Sequence, residues 1–233
     1  MKIGSKDIAF GITLTSKNEP FSFKSVADED LPRKELAQAL GIDRQMLATV
    51  HQKHTDIVVK IETEEDALRR PIADGMITNR KDMVLAVSLA DCAGVALYHP
   101  PSKTLGLAHS GWRGTEQNIT ERTLVNMAEA SAMPLDIFAK NVVASISPSA
   151  SCANYEVGSE FKEKFDSRSF KEIYGKLHFD NKIEIYHQLL NLGVDESSIS
   201  ISDKCSISNE KYHSHRRDGA NAGRMAAFVR FTS

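Results

Sequence analysis

Three short blocks of the chain each carry one side chain able to ligate a metal: Gln52-Lys53-His54, Ala90-Asp91-Cys92 and Ala108-His109-Ser110-Gly111-Trp112-Arg113-Gly114. Two imidazoles and a thiolate suit a borderline-soft ion such as zinc, and three protein ligands leave the fourth tetrahedral position to water or substrate. The set therefore points to a catalytic rather than a closed structural site. The chain has only three cysteines and one tryptophan, and one of those cysteines and the tryptophan fall inside these blocks. Singly they say less: His54 alone is a histidine held by a carbonyl, and Cys92 alone a small buried hydrophobe.

Flanking polar residues extend the set. Asp91 is either a cap for the next turn or the acceptor that fixes the tautomer of a ligating histidine. Trp112 either closes the core or faces a planar ring in a pocket. Arg113 follows His109 by four residues in a turn flanked by Gly111 and Gly114. There it either binds an anion together with backbone N–H groups or bridges to Asp74 or Asp91. Near the C-terminus, His215-Arg216-Arg217-Asp218-Gly219 is an exposed turn with a weak ion pair or a planar guanidinium site for an anion. His213 and His215 could flank a pocket. His51, three residues before His54, points to the opposite face of an extended segment. His99, His178 and His187 are expected to face solvent.

Elements that position these residues follow from periodicity. Ile8, Phe10, Ile12 and Leu14 alternate as a strand over 7–15. Pro32 opens a helix that Gly41 closes. Strands are expected at Leu47–Val50 and Ile57–Ile61, on either side of His54, and Glu62–Leu68 is acidic and exposed. Ala73-Asp74-Gly75 signals a turn. The apolar run Met83–Leu89 enters Asp91-Cys92, Val95–Tyr98 follows, and Thr104–Ala108 returns with His109 at its end. Gly111–Gly114 is then a strand-to-helix turn, with a helix from Thr115 to about Met133. Further elements are a strand at Val142–Ile146, helices at Glu160–Phe165 and Lys182–Leu192, and a strand at Ala226–Phe231. Strands and helices mixed without a strict βαβ rhythm predict an α/β sandwich with a mixed sheet.

At 233 residues, 41% hydrophobic and 26% charged, the chain is expected to form one domain over 1–233. A net charge of -2 gives no overall field for nucleic acid or anionic membrane, so any anion site is local. The N-terminus lacks an apolar h-region and no stretch approaches the ~20 apolar residues of a membrane span, which predicts a cytoplasmic protein. Cys92, Cys152 and Cys205 are odd in number and not in a CxxC pattern, against a disulfide framework or a Cys₄ zinc site.

Several motifs then occur in a familiar order: Gln52-x-His54, Ala73-Asp74-Gly75, Ala90-Asp91-Cys92, Ala108-His109-x-Gly111-Trp112-Arg113-Gly114, Tyr155-Glu156-Val157-Gly158 and Arg216-Arg217-Asp218-Gly219 with Gly223-Arg224-Met225. Over nearly its whole length the chain resembles the YfiH-type laccase-domain family. That family was first labelled multicopper polyphenol oxidase. It is now associated with purine nucleoside phosphorylase, methylthioadenosine phosphorylase and adenosine deaminase activity, and one member with peptidoglycan editing. The resemblance implies an α/β sandwich related to the cytotoxic-necrotizing-factor deamidase fold, with His54, Cys92 and His109 as zinc ligands. Cys92, His109 and Arg113 become the expected catalytic group, and Arg33, Gln52, Asp91 and Arg216 the expected substrate-binding group. Substrates would be purine nucleosides and phosphate.

The pattern departs from the family at Lys53 and Thr55, Leu89, Gly94, Ser147, Ala153-Asn154 and His215, in the expected pocket walls rather than in the donor trio. Phosphorolysis at C1′ passes through an oxocarbenium-like state in which positioned arginines orient phosphate. Deamination at C6 of adenine uses zinc to acidify water. Three other chemistries fit part of the pattern. Cys92 could be a thiolate nucleophile with His109 as its base, in a cysteine amidase or a hydrolase that edits peptidoglycan precursors. A copper-dependent polyphenol oxidase calls for more closely spaced histidines than the single pair His213-Ser214-His215. A non-catalytic, zinc-stabilised nucleotide-binding module calls for a closed metal site.

Overall fold

Ile8, Phe10 and Ile12 do alternate as a strand, but a shorter one: the computed structural model describes residues 6–14 and 30–232 and begins with β1 (Ile8–Ile12). Residue 15, the last of the expected strand, lies outside the described residues. Helix α1 (Leu31–Leu40) has Pro32 in its first turn and ends at Gly41, whose left-handed φ of 65° glycine adopts without strain. The chain continues through β2 (Leu47–Ala48), β3 (Val58–Lys60), α2 (Glu64–Arg69), β4 (Gly75–Thr78), β5 (Val84–Leu89), β6 (Ala93–His99) and β7 (Thr104–Ser110). Helices α3 (Trp112–Glu116), α4 (Ile119–Ala130) and α5 (Leu135–Ala139) lead to β8 (Val143–Ile146). The last third holds a hairpin of β9 (Phe170–Ile173) and β10 (Lys176–Phe179), then α6 (Asn181–Asn191), β11 (Ile199–Ile201), α7 (His215–Asp218) and β12 (Met225–Phe231).

Two mixed sheets stack between helices. One has the order β1-β12-β5-β2, the other β11-β8-β6-β7-β4-β3. Leu85, Val87, Leu89 and Val229 on the inner face of the first meet Met76, Ala96, Leu105 and Leu107 of the second. The opposite faces are covered by helices. Ile77, Val95, Leu97 and Ala108 pack on Leu124 and Met127 of α4, Phe138 of α5 and Leu189 of α6. Val84, Ala86 and Ala226 pack on Leu36 and Ala37 of α1. The expected α/β sandwich with mixed sheets is the fold found. Among the described residues no helix is long and apolar enough to cross a membrane.

Topology brings the three donor blocks to one end of the six-stranded sheet. Strands β3 and β4 are parallel, β7 is antiparallel to β4, and β6 is antiparallel to β7. The starts of β3, β4 and β6 and the end of β7 therefore lie side by side. His54 precedes β3, Cys92 precedes β6, and His109 is the penultimate residue of β7, paired with Gly94. Cys92 also occupies the link where the chain leaves one sheet for the other, since β5 and β6 belong to different layers.

Several expectations are refined or corrected by the fold. The acidic stretch Glu62–Leu68 is largely exposed, as expected, and runs into α2, set by a capping box in which Thr63 and Asp66 satisfy each other's backbone N–H groups. Ala73-Asp74-Gly75 is no turn but the entry to β4. The single helix expected from Thr115 is two, α3 and α4, broken at Asn118 with φ 59°, a conformation asparagine tolerates. Glu160–Phe165 is largely a 3₁₀ segment, Ser159–Glu163. His99 is fully buried, stacked on Phe138 at 3.8 Å between ring centroids, and His178 is buried against the Cys152 carbonyl, which its Nδ1 meets at 2.8 Å.

The two sheets are in close contact at Gly94, where an added Cβ would sit 2.9 Å from the Ala227 Cβ and 3.3 Å from Leu89 Cδ1. Both contacts belong to buried side chains on the facing layer. Gly94→Ala is expected to cost about 1–3 kcal/mol and to lower the melting temperature without changing the far-ultraviolet circular dichroism. An unchanged melting temperature would contradict this account of the layer spacing.

Candidate metal centre and cleft

His54, Cys92 and His109 converge: one ligand atom from each can be chosen so that all three lie within 4.8 Å of one another. His54 Nε2 is 3.8 Å from Cys92 Sγ, close to the ~3.6 Å separation that zinc–nitrogen and zinc–sulfur bonds at a tetrahedral angle require. The two imidazole rings meet edge to face at 4.8 Å between centroids. Gly111 leaves the space in which they meet. A Cβ there would lie 2.7 Å from Cys92 Sγ and 3.1 Å from His54 Cδ2.

Asp74 organises the donors. Its fully buried carboxylate accepts His109 Nδ1–H on Oδ1 at 2.8 Å, leaving Nε2 of that ring to face the cleft. Its other oxygen accepts the backbone N–H of Lys53 (3.1 Å), the backbone N–H of Thr55 (2.7 Å) and the Thr55 hydroxyl (2.9 Å). Those bonds bracket His54 and hold it at φ 60°, which a non-glycine residue rarely adopts. Gln117 Nε2 closes the loop by donating to the His54 carbonyl at 3.1 Å. The turn signal at Ala73-Asp74-Gly75 concealed this role. The sequence clue is a carboxylate two residues before the apolar Met76-Ile77 pair of a strand.

Charges in the trio depend on one another. Burial opposes ionisation of the Cys92 thiol, but the imidazoles of His109 and His54 outweigh it and bring the thiol down to about 6. Burial likewise opposes a charged His109, which Cys92 and Asp74 nevertheless raise to about 9. Burial disfavours the Asp74 carboxylate too, yet the bonds from His109 and Thr55 hold it at about 2. Each group thus favours the charged form of its neighbour, the thiolate of Cys92 and the imidazolium of His109. A divalent cation would displace the imidazolium proton and take both donors. Two imidazoles and an acidified thiol at this spacing are able to hold a metal ion.

The trio faces a cleft of about 660 Å³, lined also by Gln52, Asp91, Trp112, Arg113, Tyr155, His215, Arg216 and Arg224. Arg113 lies over the Trp112 ring at 4.2 Å and Arg216 over the Tyr155 ring at 4.7 Å. Neither alternative salt bridge forms, because Asp74 is taken by His109 and the loop of His54, and Asp91 by other groups. Asp91 accepts the Ser206 hydroxyl on Oδ1 (2.6 Å) and the Arg216 backbone N–H on Oδ2 (2.7 Å), tying the turn of Cys92 to the start of α7. The histidine acceptor is therefore Asp74 and not Asp91. Gln52 lines the cleft, but its amide is clamped to the Ser88 backbone, donating to O at 2.9 Å and accepting from N at 2.7 Å. Trp112 packs against Phe161 at 5.0 Å and also lines the cleft.

Arg33 is not brought to this site. It is 4% exposed on α1, bonded to Asp30 Oδ1 at 3.0 Å, and is absent from the described cleft lining. In the C-terminal motif, Arg217 forms the ion pair, with Asp218 at 2.8 Å, while Arg216 turns to the cleft. In the sequence Tyr155 and Arg224 stand out only as parts of motifs, and their place in the cleft comes from the fold.

Fold and site together define an α/β sandwich protein in which three side chains able to hold a metal ion line a polar cleft. The sequence model of the multi-copper polyphenol oxidoreductase laccase family matches residues 26–232, and the chain belongs to that family. It is 37% identical over 179 residues to a purine nucleoside phosphorylase of Aquifex aeolicus, covering 76% of this chain and 80% of that protein. It is 32% identical over 183 residues to purine nucleoside phosphorylase RP494 of Rickettsia prowazekii, covering 74% of this chain and 71% of that one. The crystal structure of YlmD from Geobacillus stearothermophilus matches with a TM-score of 0.86 at 24% identity, over 98% of this chain and 93% of that one. The Bacillus licheniformis hypothetical protein YfiH matches with a TM-score of 0.83 at 23% identity, over 98% and 97% of the respective chains. These two similarities establish a shared fold.

Gly111 has φ -77° and ψ 172°, so alanine is conformationally allowed there and its effect is confined to the donors. Gly111→Ala is expected to weaken zinc binding about 10-fold or more in competition with a chromogenic chelator. Wild-type affinity in that variant would show that the donors do not meet beside Gly111.

Proposed function

We propose that the chain is a zinc-dependent purine nucleoside phosphorylase that also cleaves methylthioadenosine and deaminates adenosine. The observation that carries this proposal is the presence, in one cleft, of three metal donors and two arginines mounted on aromatic rings. The relatives named purine nucleoside phosphorylase support it. Zinc would be held by His54, Cys92 and His109, with Asp74 fixing the His109 tautomer. Bound there, zinc supplies Lewis acidity, polarising a substrate atom or acidifying water. Copper is the weaker reading, because a multicopper oxidase calls for more closely spaced histidines than this trio and the single His213-Ser214-His215 pair supply.

In phosphorolysis a phosphate oxygen bonds to C1′ as the bond from C1′ to the purine nitrogen breaks, and the purine leaves with a proton. Arg113 presents a planar fork to phosphate while its face rests on Trp112. Holding phosphate in line with C1′ converts an encounter in solution into a positioned one, and the cationic groups offset charge on the attacking oxygens. The cleft volume of about 660 Å³ accommodates a nucleoside together with phosphate.

A second reading has one observation in its favour. Asp74, His109 and Cys92 form an acid–imidazole–thiol series whose thiol is lowered to about 6, the pattern of a cysteine hydrolase or amidase that edits peptidoglycan precursors. Metal on the thiol would suppress that chemistry, so metal content separates the two.

Purified protein incubated with adenosine, inosine and methylthioadenosine, with and without phosphate, is expected to release free base only when phosphate is present. Inosine should form from adenosine in either case. No product from any of the three with zinc-loaded protein would overturn the proposal. In His54→Ala, metal content and turnover should fall together while the fold is retained. Full activity without bound metal would favour the thiol chemistry of Cys92 and His109.

A further inference from the structure

Tyr155 is not among the metal donors, but it shares the cleft with them and with two arginines. Its side chain lines the cleft, and its hydroxyl lies within electrostatic reach of Cys92, Arg216, Asp91 and Arg113 together. No hydrogen-bond partner takes up that hydroxyl among the described residues. The ring itself is fixed, carrying Arg216 on its face at 4.7 Å and tilting against Phe179 at 6.4 Å in an aromatic cluster with Phe161 and Phe165.

The two arginines are prepared in the same manner. A guanidinium resting face-on against an aromatic ring keeps its N–H edges available in its own plane. Arg113 gives none of those donors to a described protein acceptor, and Arg216 gives only Nη1, to the Glu156 carbonyl at 2.8 Å. Asp91, the carboxylate lining this cleft, has both oxygens occupied by Ser206 and by the backbone of Arg216. Nothing described in the cleft competes with an anion for the two forks.

We propose that the Tyr155 hydroxyl, Arg113 and Arg216 form a seat for a phosphate group, in which Tyr155 is the neutral donor between two cationic ones. Burial and the neighbouring Cys92 push the phenol up to about 12, so it keeps its proton and donates throughout the neutral range. The seat rests on the proposal that this cleft handles phosphate, and it names the residue that sequence patterning left without a role. The phosphate is either the free co-substrate or an ester on the nucleoside.

Tyr155→Phe tests the seat, since it removes one oxygen and leaves the ring beneath Arg216. With zinc-loaded protein, inorganic phosphate and adenosine 5′-monophosphate are each titrated by calorimetry. The variant should bind phosphate roughly 10-fold or more weakly, the loss expected for one hydrogen bond to a charged group, with zinc content and melting temperature unchanged. Adenosine and inorganic phosphate binding together marks the free co-substrate. Adenosine 5′-monophosphate displacing phosphate and outbinding adenosine marks the ester. Either supports the seat. Wild-type phosphate affinity in Tyr155→Phe, or no phosphate affinity in the wild-type protein, overturns it. Phosphate binding without nucleoside turnover would sink the phosphorylase proposal and leave the seat standing, whereas turnover without phosphate affinity would do the reverse.

Discussion

One buried carboxylate holds the site together. Asp74 cannot reach water, so each of its lone pairs must be satisfied by protein, and the groups that satisfy them are His109 on one side and the backbone around His54 on the other. Two donors that lie 55 residues apart in the chain are therefore oriented by one side chain. A buried charge with a missing partner costs several kcal/mol, so neither half of this arrangement can relax alone. His54 accepts a left-handed backbone, a cost of about 1–2 kcal/mol, because the bonds to Asp74 from both neighbours fix it there.

The sheets supply the third donor and the cleft wall. Cys92 sits where the chain crosses from one layer to the other, and Asp91 beside it adopts φ 83° while capping α7 through the Arg216 N–H. This couples the sulfur donor to the segment that carries Arg216 into the cleft. The opposite wall is built from Trp112 and Tyr155 against the cluster around Phe161 and Phe179, so the aromatic satellite core supports both arginines as well as the local fold. Close packing at Gly94 and Gly111 keeps the layers and the donors at their spacing.

Much of this was legible in the sequence because the informative residues lie at strand ends. The apolar runs around residues 84–89 and 104–108 are long enough to locate β5 and β7, and they lead directly to Cys92 and His109. The family motifs added the order in which such blocks recur. What stayed hidden depends on contacts made across the fold. Asp74 looks like a turn residue until the loop at Lys53 and Thr55 folds onto it. His99 looks exposed until Phe138 covers it, and the Pro-Pro turn after it returns Ser102 to its Nδ1 at 2.7 Å. Arg33 carries the right charge for substrate, but the helix that bears it packs on the outer face of the other sheet and gives the guanidinium to Asp30.

The proposed zinc site of His54, Cys92 and His109 depends on preorganisation of its donors by Asp74. Asp74→Asn keeps the size of the side chain but removes its charge and replaces one acceptor oxygen with an amide donor. Zinc affinity measured by chelator competition should fall roughly 10- to 100-fold in this variant, with one zinc per chain still bound by the wild-type protein. Equal zinc affinity in the two proteins, or no zinc bound by the wild-type chain, would contradict the account.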